Sequence, residues 1–192
     1  MKVIGISGPS GSGKTTLSNW LLEKLPNCRL TQQDWYFIDP EKCEPEANFC
    51  DIRYLYLEEF IEHITSVVQG KAIAAPTIDF STFRRTDKKN YIEPGDFLIV
   101  EGMTIFRISE ILNICKFRYY LATRFGCIRA RKWERDYIER NKSVEVIKSQ
   151  LKWVEREYLY DLKTLPVDVK ILNNQDTNEY LGLGLIDEIL GK

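Results

Sequence analysis

The sequence predicts a three-layer αβα fold around a mainly parallel sheet of five strands, and three observations carry that expectation. Short apolar runs alternate with helical periodicity from residue 2 to residue 172. The runs are apolar at consecutive positions, as in strands covered on both faces. With 192 residues, 44% of them hydrophobic, the chain can bury a sizeable core as one domain spanning 1–192.

The first run, KVIGI (2–6), reads as a buried strand. Leu17, Leu21 and Leu25 then recur at the spacing of one helix face, and Pro26 stops that helix. CRLT (28–31) is a second strand, followed by a polar, proline-containing loop from Asp39 to Asn48. A helix carries Leu57, Phe60, Ile61, Ile64, Val67 and Val68 on one face and ends at Gly70. IAAPTIDF (73–80) is a weaker strand broken by Pro76, and STFRRTDKKN (81–90) reads as a polar, basic connection. FLIV (97–100), announced by the turn residues EPGD, is a buried strand, and FRYYLA (117–122) and VDVKIL (167–172) complete the set.

A formal charge of −1 gives no basic surplus of the kind that wraps nucleic acid. Cys28, Cys43, Cys50, Cys115 and Cys127 contain no CxxC pair, and His63 is the only histidine, so reduced, mostly structural thiols are expected and a zinc site is not. His63 reads as a surface or packing residue. No apolar run has the length of a signal peptide core or a membrane span, so a cytoplasmic protein without membrane or nucleic-acid partners is expected.

Between the first strand and the first helix stands Gly8-Pro9-Ser10-Gly11-Ser12-Gly13-Lys14-Thr15, which fills every fixed position of GxxxxGK[ST] in the strand–loop–helix context that the motif requires. Glycines let successive backbone N–H groups curl around phosphate oxygens, and the helix N-terminus adds partial positive charge. Lys14 reaches the terminal phosphates and Thr15 offers its hydroxyl to Mg²⁺. The fold expected is therefore of the P-loop NTPase type. The chain has no DxxG, NKxD or LSGGQ-like segment, which argues against a GTPase or a transporter ATPase.

Four segments resemble the uridine kinase-like branch of P-loop nucleoside kinases, to which nicotinamide riboside kinases are related. They are IGISGPSGSGKTTL at the first loop, QQDWYF (32–37), FLIVEG (97–102) and RARKWERDYIERNKS (129–143), the last similar to an arginine-rich lid of pattern RxxRDxxERG. NFCD (48–51) sits where that family places a ribose-binding aspartate. By spacing alone, residues 129–142 form a solvated helix face with i,i+4 ion pairs. The resemblance instead implies a lid at about 124–145 that closes over the triphosphate, with ATP and Mg²⁺ as cofactors and a small nucleoside-like acceptor.

The same resemblance assigns roles. Asp34 is the expected base, acting with Lys14 and the lid residues Arg135 and Arg140. Gly8, Ser10, Gly11, Ser12, Gly13, Lys14, Thr15 and Thr16 are expected to bind the nucleotide, and Thr15, Asp34 and Glu101 to hold Mg²⁺. Asp51, Ile78, Phe83, Arg85, Lys132 and Lys142 are expected at the acceptor. Asp51 also suits a helix N-cap. Where pyrimidine-specific members carry PxYDYxxHxR, this chain has Pro76-Thr77-Ile78-Asp79-Phe80-Ser81-Thr82-Phe83-Arg84-Arg85. Ile78 and Phe83 replace the tyrosine and histidine, and Phe83 can stack on a base but cannot donate to its carbonyl. The activity implied is transfer of the γ-phosphoryl to the 5′-hydroxyl of a ribonucleoside. A nicotinamide riboside kinase and a nucleotide-binding regulatory module stand as alternatives, and the oligomeric state, a homo-oligomer included, is left open.

Overall fold

Val3, Ile4 and Ile6 are at most 3% exposed because the strand that carries them, β1 (Lys2–Ser7), is the middle strand of the principal sheet. The computed structural model describes residues 1–44, 51–174 and 178–191, and over 178–183 the backbone alone. Asn48, Phe49 and Cys50 of the NFCD segment, and the end of the 39–48 loop, lie outside the described residues.

The principal sheet has five strands in the order β2-β5-β1-β6-β7, where β2 is Cys28–Gln32, β5 Phe97–Glu101, β6 Phe117–Ala122 and β7 Lys170–Asn173. Every pair in it is parallel. Alternate side chains feed two cores, one on each face. On one face Val3, Leu98, Val100 and Tyr120 pack with Phe60, Ile64 and Val67 of α2 (Leu57–Val68) and Ile111 of α3 (Ser109–Ile114). On the other, Ile4, Ile6, Ile99, Tyr119 and Leu121 meet Leu17 and Leu21 of α1 (Lys14–Lys24) and Leu185 and Ile189 of α6 (Asn178–Leu190). This is the three-layer arrangement that the sequence predicts.

Residues 73–92 depart from the expectation. The stretch read as a polar connection forms most of a strand, β4 (Arg84–Ile92), which pairs antiparallel with β3 (Ile73–Asp79) in a separate two-stranded sheet. Pro76 does not break β3; the ladder shifts register between Pro76 and Thr77, and that irregularity accommodates a residue with no N–H to give. At the hairpin tip Phe83 adopts φ +58°, left-handed backbone that a bulky residue seldom takes.

After β6 the chain runs through α4 (Phe125–Trp133), a π-helical turn (Glu134–Glu139) and the long α5 (Val144–Thr164). Ile128 and Val154 close a small apolar cluster of their own between α4 and α5. Burial pushes the thiols of Cys28 and Cys115 up to about 11 and about 12, so both are inert packing groups. His63 also packs, its Nδ1 2.9 Å from the Tyr36 hydroxyl. Among the described residues no helix is long and apolar enough to cross a membrane.

Candidate active site

Parallel strands deliver their C-terminal ends to one edge, and the site is built there. β1 leads into the glycine loop, in which Gly8, Gly11 and Gly13 have φ of 145°, 87° and 94°, values that open the backbone to glycine alone at little cost. A Cβ on Gly8 would stand 2.7 Å from the Leu121 carbonyl oxygen. The loop is braced from below, since Asn174 Nδ2 and Thr123 Oγ1 both donate to the Ser12 carbonyl, at 2.7 and 3.3 Å. The strand ends of β6 and β7 thus fix the cradle.

Lys14 opens α1 and folds back over the loop, its Nζ 3.2 Å from the Pro9 carbonyl oxygen and 3.9 Å from Glu101 Oε1. Glu101, the last residue of β5, is 5% exposed. Thr15 Oγ1 donates to its Oε2 at 3.2 Å and Gln32 Nε2 to the same oxygen at 2.7 Å. Burial pushes the Glu101 carboxyl above the usual carboxylate range and the neighbouring Asp34 adds to the rise, against the pull of Lys14, Gln32 and Thr15. Such a carboxylate is short of positive charge.

Asp34 lies in a short 3₁₀ turn, Gln33–Tyr36, that follows β2. The turn is pinned by its first residue. Gln33 Nε2 donates to Thr104 Oγ1 at 2.8 Å and Gln33 Oε1 accepts from Thr104 N–H at 3.0 Å, both groups buried. Gly102 makes room for this clamp, because a Cβ there would sit 2.3 Å from Gln33 Oε1. Gln32 and Gln33, adjacent to Asp34 in QQDWYF, are site-building residues that sequence reasoning missed; their only signal is that adjacency.

A cavity of about 820 Å³ brings these groups together with the lid. Its lining includes Ser10, Gly11, Gly13, Lys14, Thr15, Thr16, Asp34 and Glu101, the lid cations Lys132, Arg135, Arg140 and Lys142, and Phe83. Trp20, Phe37, Met103, Arg131, Gln150, Trp153 and Val154 complete it; of these only Phe37 and Arg131 fall in segments quoted from the sequence. Arg135 Nη2 donates to Ser10 Oγ at 3.2 Å, a direct tie between lid and glycine loop. The i,i+4 pairs expected on a solvated helix exist, Lys132 with Asp136 and Asp136 with Arg140, but the Asp136 side chain in them is fully buried.

Three acceptor residues expected from sequence stand elsewhere. The Asp51 carboxylate caps a short turn, Ile52–Tyr54, accepting from the Arg53 N–H at 2.9 Å and from the Arg53 guanidinium, so its capping capacity is what the structure realises. Arg85 turns to α2, where Nη2 meets Glu59 Oε2 at 2.6 Å and the guanidinium lies 3.9 Å from the Tyr56 ring centre. Ile78 is buried against Phe37 and Leu55. None of the three is among the described residues that line the cavity. Phe83 does line it, with Lys142 Nζ 4.7 Å from its ring centre and Arg140 5.1 Å from that of Phe80.

A family model, that of the phosphoribulokinase/uridine kinase family, matches residues 3–161. The uridine kinase of Brevibacillus brevis is 32% identical over 154 residues, covering 77% of this chain and 72% of that protein. The uridine kinase of Borrelia turicatae is 32% identical over 155 residues, covering 78% and 74%. Among solved structures, D-glycerate 3-kinase from Cryptococcus neoformans superposes with a TM-score of 0.62 at 14% identity, over 90% of this chain and 86% of that one, which is a likeness of fold.

Proposed function

The chain belongs to the phosphoribulokinase/uridine kinase family, and from that premise we propose that it is an ATP-dependent kinase transferring the γ-phosphoryl to the 5′-hydroxyl of a ribonucleoside. Uridine is the acceptor we put first, on the names of its relatives. The observation that carries the reading is the cavity in which the glycine loop, Asp34, Glu101 and five lid cations meet.

In this reading the loop amides and Lys14 hold the β- and γ-phosphates. The arriving phosphates take Lys14 from the Pro9 carbonyl and from Glu101, its partners in the free protein. Thr15 Oγ1 and Glu101 Oε2, 3.2 Å apart at the edge of the cradle, and Asp34, which lines the same cavity, are the hard oxygen donors that would hold Mg²⁺. The residues fit the ion, and Glu101 would gain the positive charge that its burial demands. Bound there, Mg²⁺ supplies charge neutralisation on the phosphoryl oxygens.

Asp34 accepts the proton of the attacking hydroxyl and aims its oxygen at the γ-phosphorus; the Gln33–Thr104 clamp keeps that carboxylate in place. Arg135 and Arg140 spread the charge that builds up on the transferring group. Phe37, Phe83, Met103 and Trp153 give the cavity an apolar wall that excludes water and limits hydrolysis of ATP. A phenyl ring at residue 83 selects a flat base by contact, so discrimination among pyrimidines should be weaker than in relatives that read a carbonyl oxygen.

The test is an acceptor panel with Mg·ATP, comprising uridine, cytidine, nicotinamide riboside, pantothenate and no acceptor, followed by ADP release and product mass. Uridine-dependent ADP with a matching monophosphate is expected. ATP binding with no acceptor-dependent turnover would refute the reading in favour of a nucleotide-responsive regulatory protein.

A further inference from the structure

Asp136 is fully buried, yet it is the acid most crowded by cations in the lid. Its Oδ1 takes Arg135 Nε at 3.0 Å and Arg140 Nη1 at 3.4 Å; its Oδ2 pairs with Lys132 Nζ and stands 3.8 Å from Lys142 Nζ. The π-helical turn makes this convergence possible. The Arg140 N–H reaches back five residues to the Arg135 carbonyl, and the Lys142 N–H donates to the Asp136 carbonyl at 2.9 Å. The widened turn brings residues before and after it onto one carboxylate. All four cations also line the nucleotide cavity, whereas Asp136 itself does not.

We propose that Asp136 is a positioning residue of the lid, whose carboxylate holds Lys132, Arg135, Arg140 and Lys142 in the geometry in which they meet the triphosphate. The proposal rests on the kinase reading given above. Four like charges facing one cavity repel one another, and a single shared anion offsets that repulsion while leaving a surplus for the incoming polyphosphate. The charged groups around Asp136 come from every packed element: Lys132 from α4, Arg135 from the π-helical turn, Arg140 and Lys142 from the segment after it. From α5, Gln150 adds an uncharged amide, its Oε1 accepting from Lys132 Nζ at 3.0 Å and from Lys142 Nζ at 3.4 Å. Asp34 lines the same cavity, and its charge acts on Arg140.

The electrostatics agree in direction. Burial opposes ionisation of Asp136, but Lys132 and Arg135 overcome it and hold the carboxyl down at about 2. Burial lowers Lys142 to about 8, and the Asp136 charge is the largest influence resisting that fall. With Asp136 neutralised, Lys142 loses its proton at lower pH and the cations splay.

The experiment is calorimetric titration of Mg·ATP into wild type, Asp136→Asn and Gln150→Glu between about pH 6.5 and about pH 9.5, with no acceptor present. Wild-type affinity should fall above about pH 8, where Lys142 deprotonates. Asp136→Asn should bind ATP about 30-fold more weakly at neutral pH and lose affinity at lower pH than wild type. By charge alone, removing an anion near the site would tighten the binding of ATP, so the sign separates positioning from simple repulsion. Gln150→Glu keeps Asp136 and adds a second carboxylate beside Lys132 and Lys142, so its alkaline limb should move up; this variant decides the matter if Asp136→Asn does not fold. A folded Asp136→Asn with equal or tighter affinity, or an alkaline limb that Gln150→Glu leaves in place, overturns the proposal. Acceptor-dependent turnover of wild type, measured in parallel, tests the kinase reading separately.

Discussion

Removing the Lys14 charge should destabilise the free protein through Glu101. The two side chains are 10% and 7% exposed and their charged atoms are 3.9 Å apart. At that distance and an effective dielectric of about 20, two unit charges attract by about 4 kcal/mol, an upper bound on what the pair contributes. In Lys14→Met the carboxyl keeps Gln32 and Thr15 but loses its cation, so it either remains charged and buried or takes up a proton. In Glu101→Gln the lysine still has the Pro9 carbonyl. The double variant removes both partners, and its loss should fall short of the two single losses added together, giving a coupling of about 2–4 kcal/mol.

Urea unfolding followed by tryptophan fluorescence, without nucleotide, measures all four proteins. The pH dependence has a fixed sign. Glu101 already titrates above its ordinary 4.5, and losing Lys14 raises it further. A folded-state carboxyl raised above its unfolded value favours the fold below the unfolded value and loses that contribution as pH rises through the folded one. The penalty of Lys14→Met should therefore be small near pH 4.5 and grow towards neutrality. A coupling under about 0.5 kcal/mol, or a penalty independent of pH, would refute the argument that this pair is electrostatically linked.

Two further outcomes are expected. Asp34→Asn should lower kcat about 10²- to 10⁴-fold while Mg·ATP affinity stays within a few-fold, since the substitution also relieves Glu101 of a neighbouring negative charge; kcat and ATP titration together check this. Gly8→Ala places a Cβ 2.7 Å from the Leu121 carbonyl at φ 145°, so thermal unfolding should show a loss of about 2 kcal/mol, or roughly 4–8 °C in Tm.

How much was legible depended on how local the determining interactions are. GPSGSGKT lies between a strand and a helix that its neighbours specify within a few residues, so loop, strand and helix could all be read from sequence. The chain at 84–92 could not. RRTDKKNYI has no apolar alternation, and every residue of it except Ile92 is half-buried or exposed; its strand exists because β3 lies alongside. Asp136 was visible only as one acid among cations, because the convergence of four of them on its carboxylate depends on a π-helical turn. Arg85 fell on a family position, yet Glu59 and Tyr56 of a sequence-distant helical segment set its direction.

The β3–β4 hairpin shares no hydrogen-bonded edge with the principal sheet, yet its tip supplies Phe83 to the cavity. On the proposed function, this arrangement sets the ring that meets the acceptor apart from the glycine loop that holds the phosphates. Exchange of the residues around that tip for those of another family member should then retune the choice of alcohol while the phosphate-gripping frame stays unaltered.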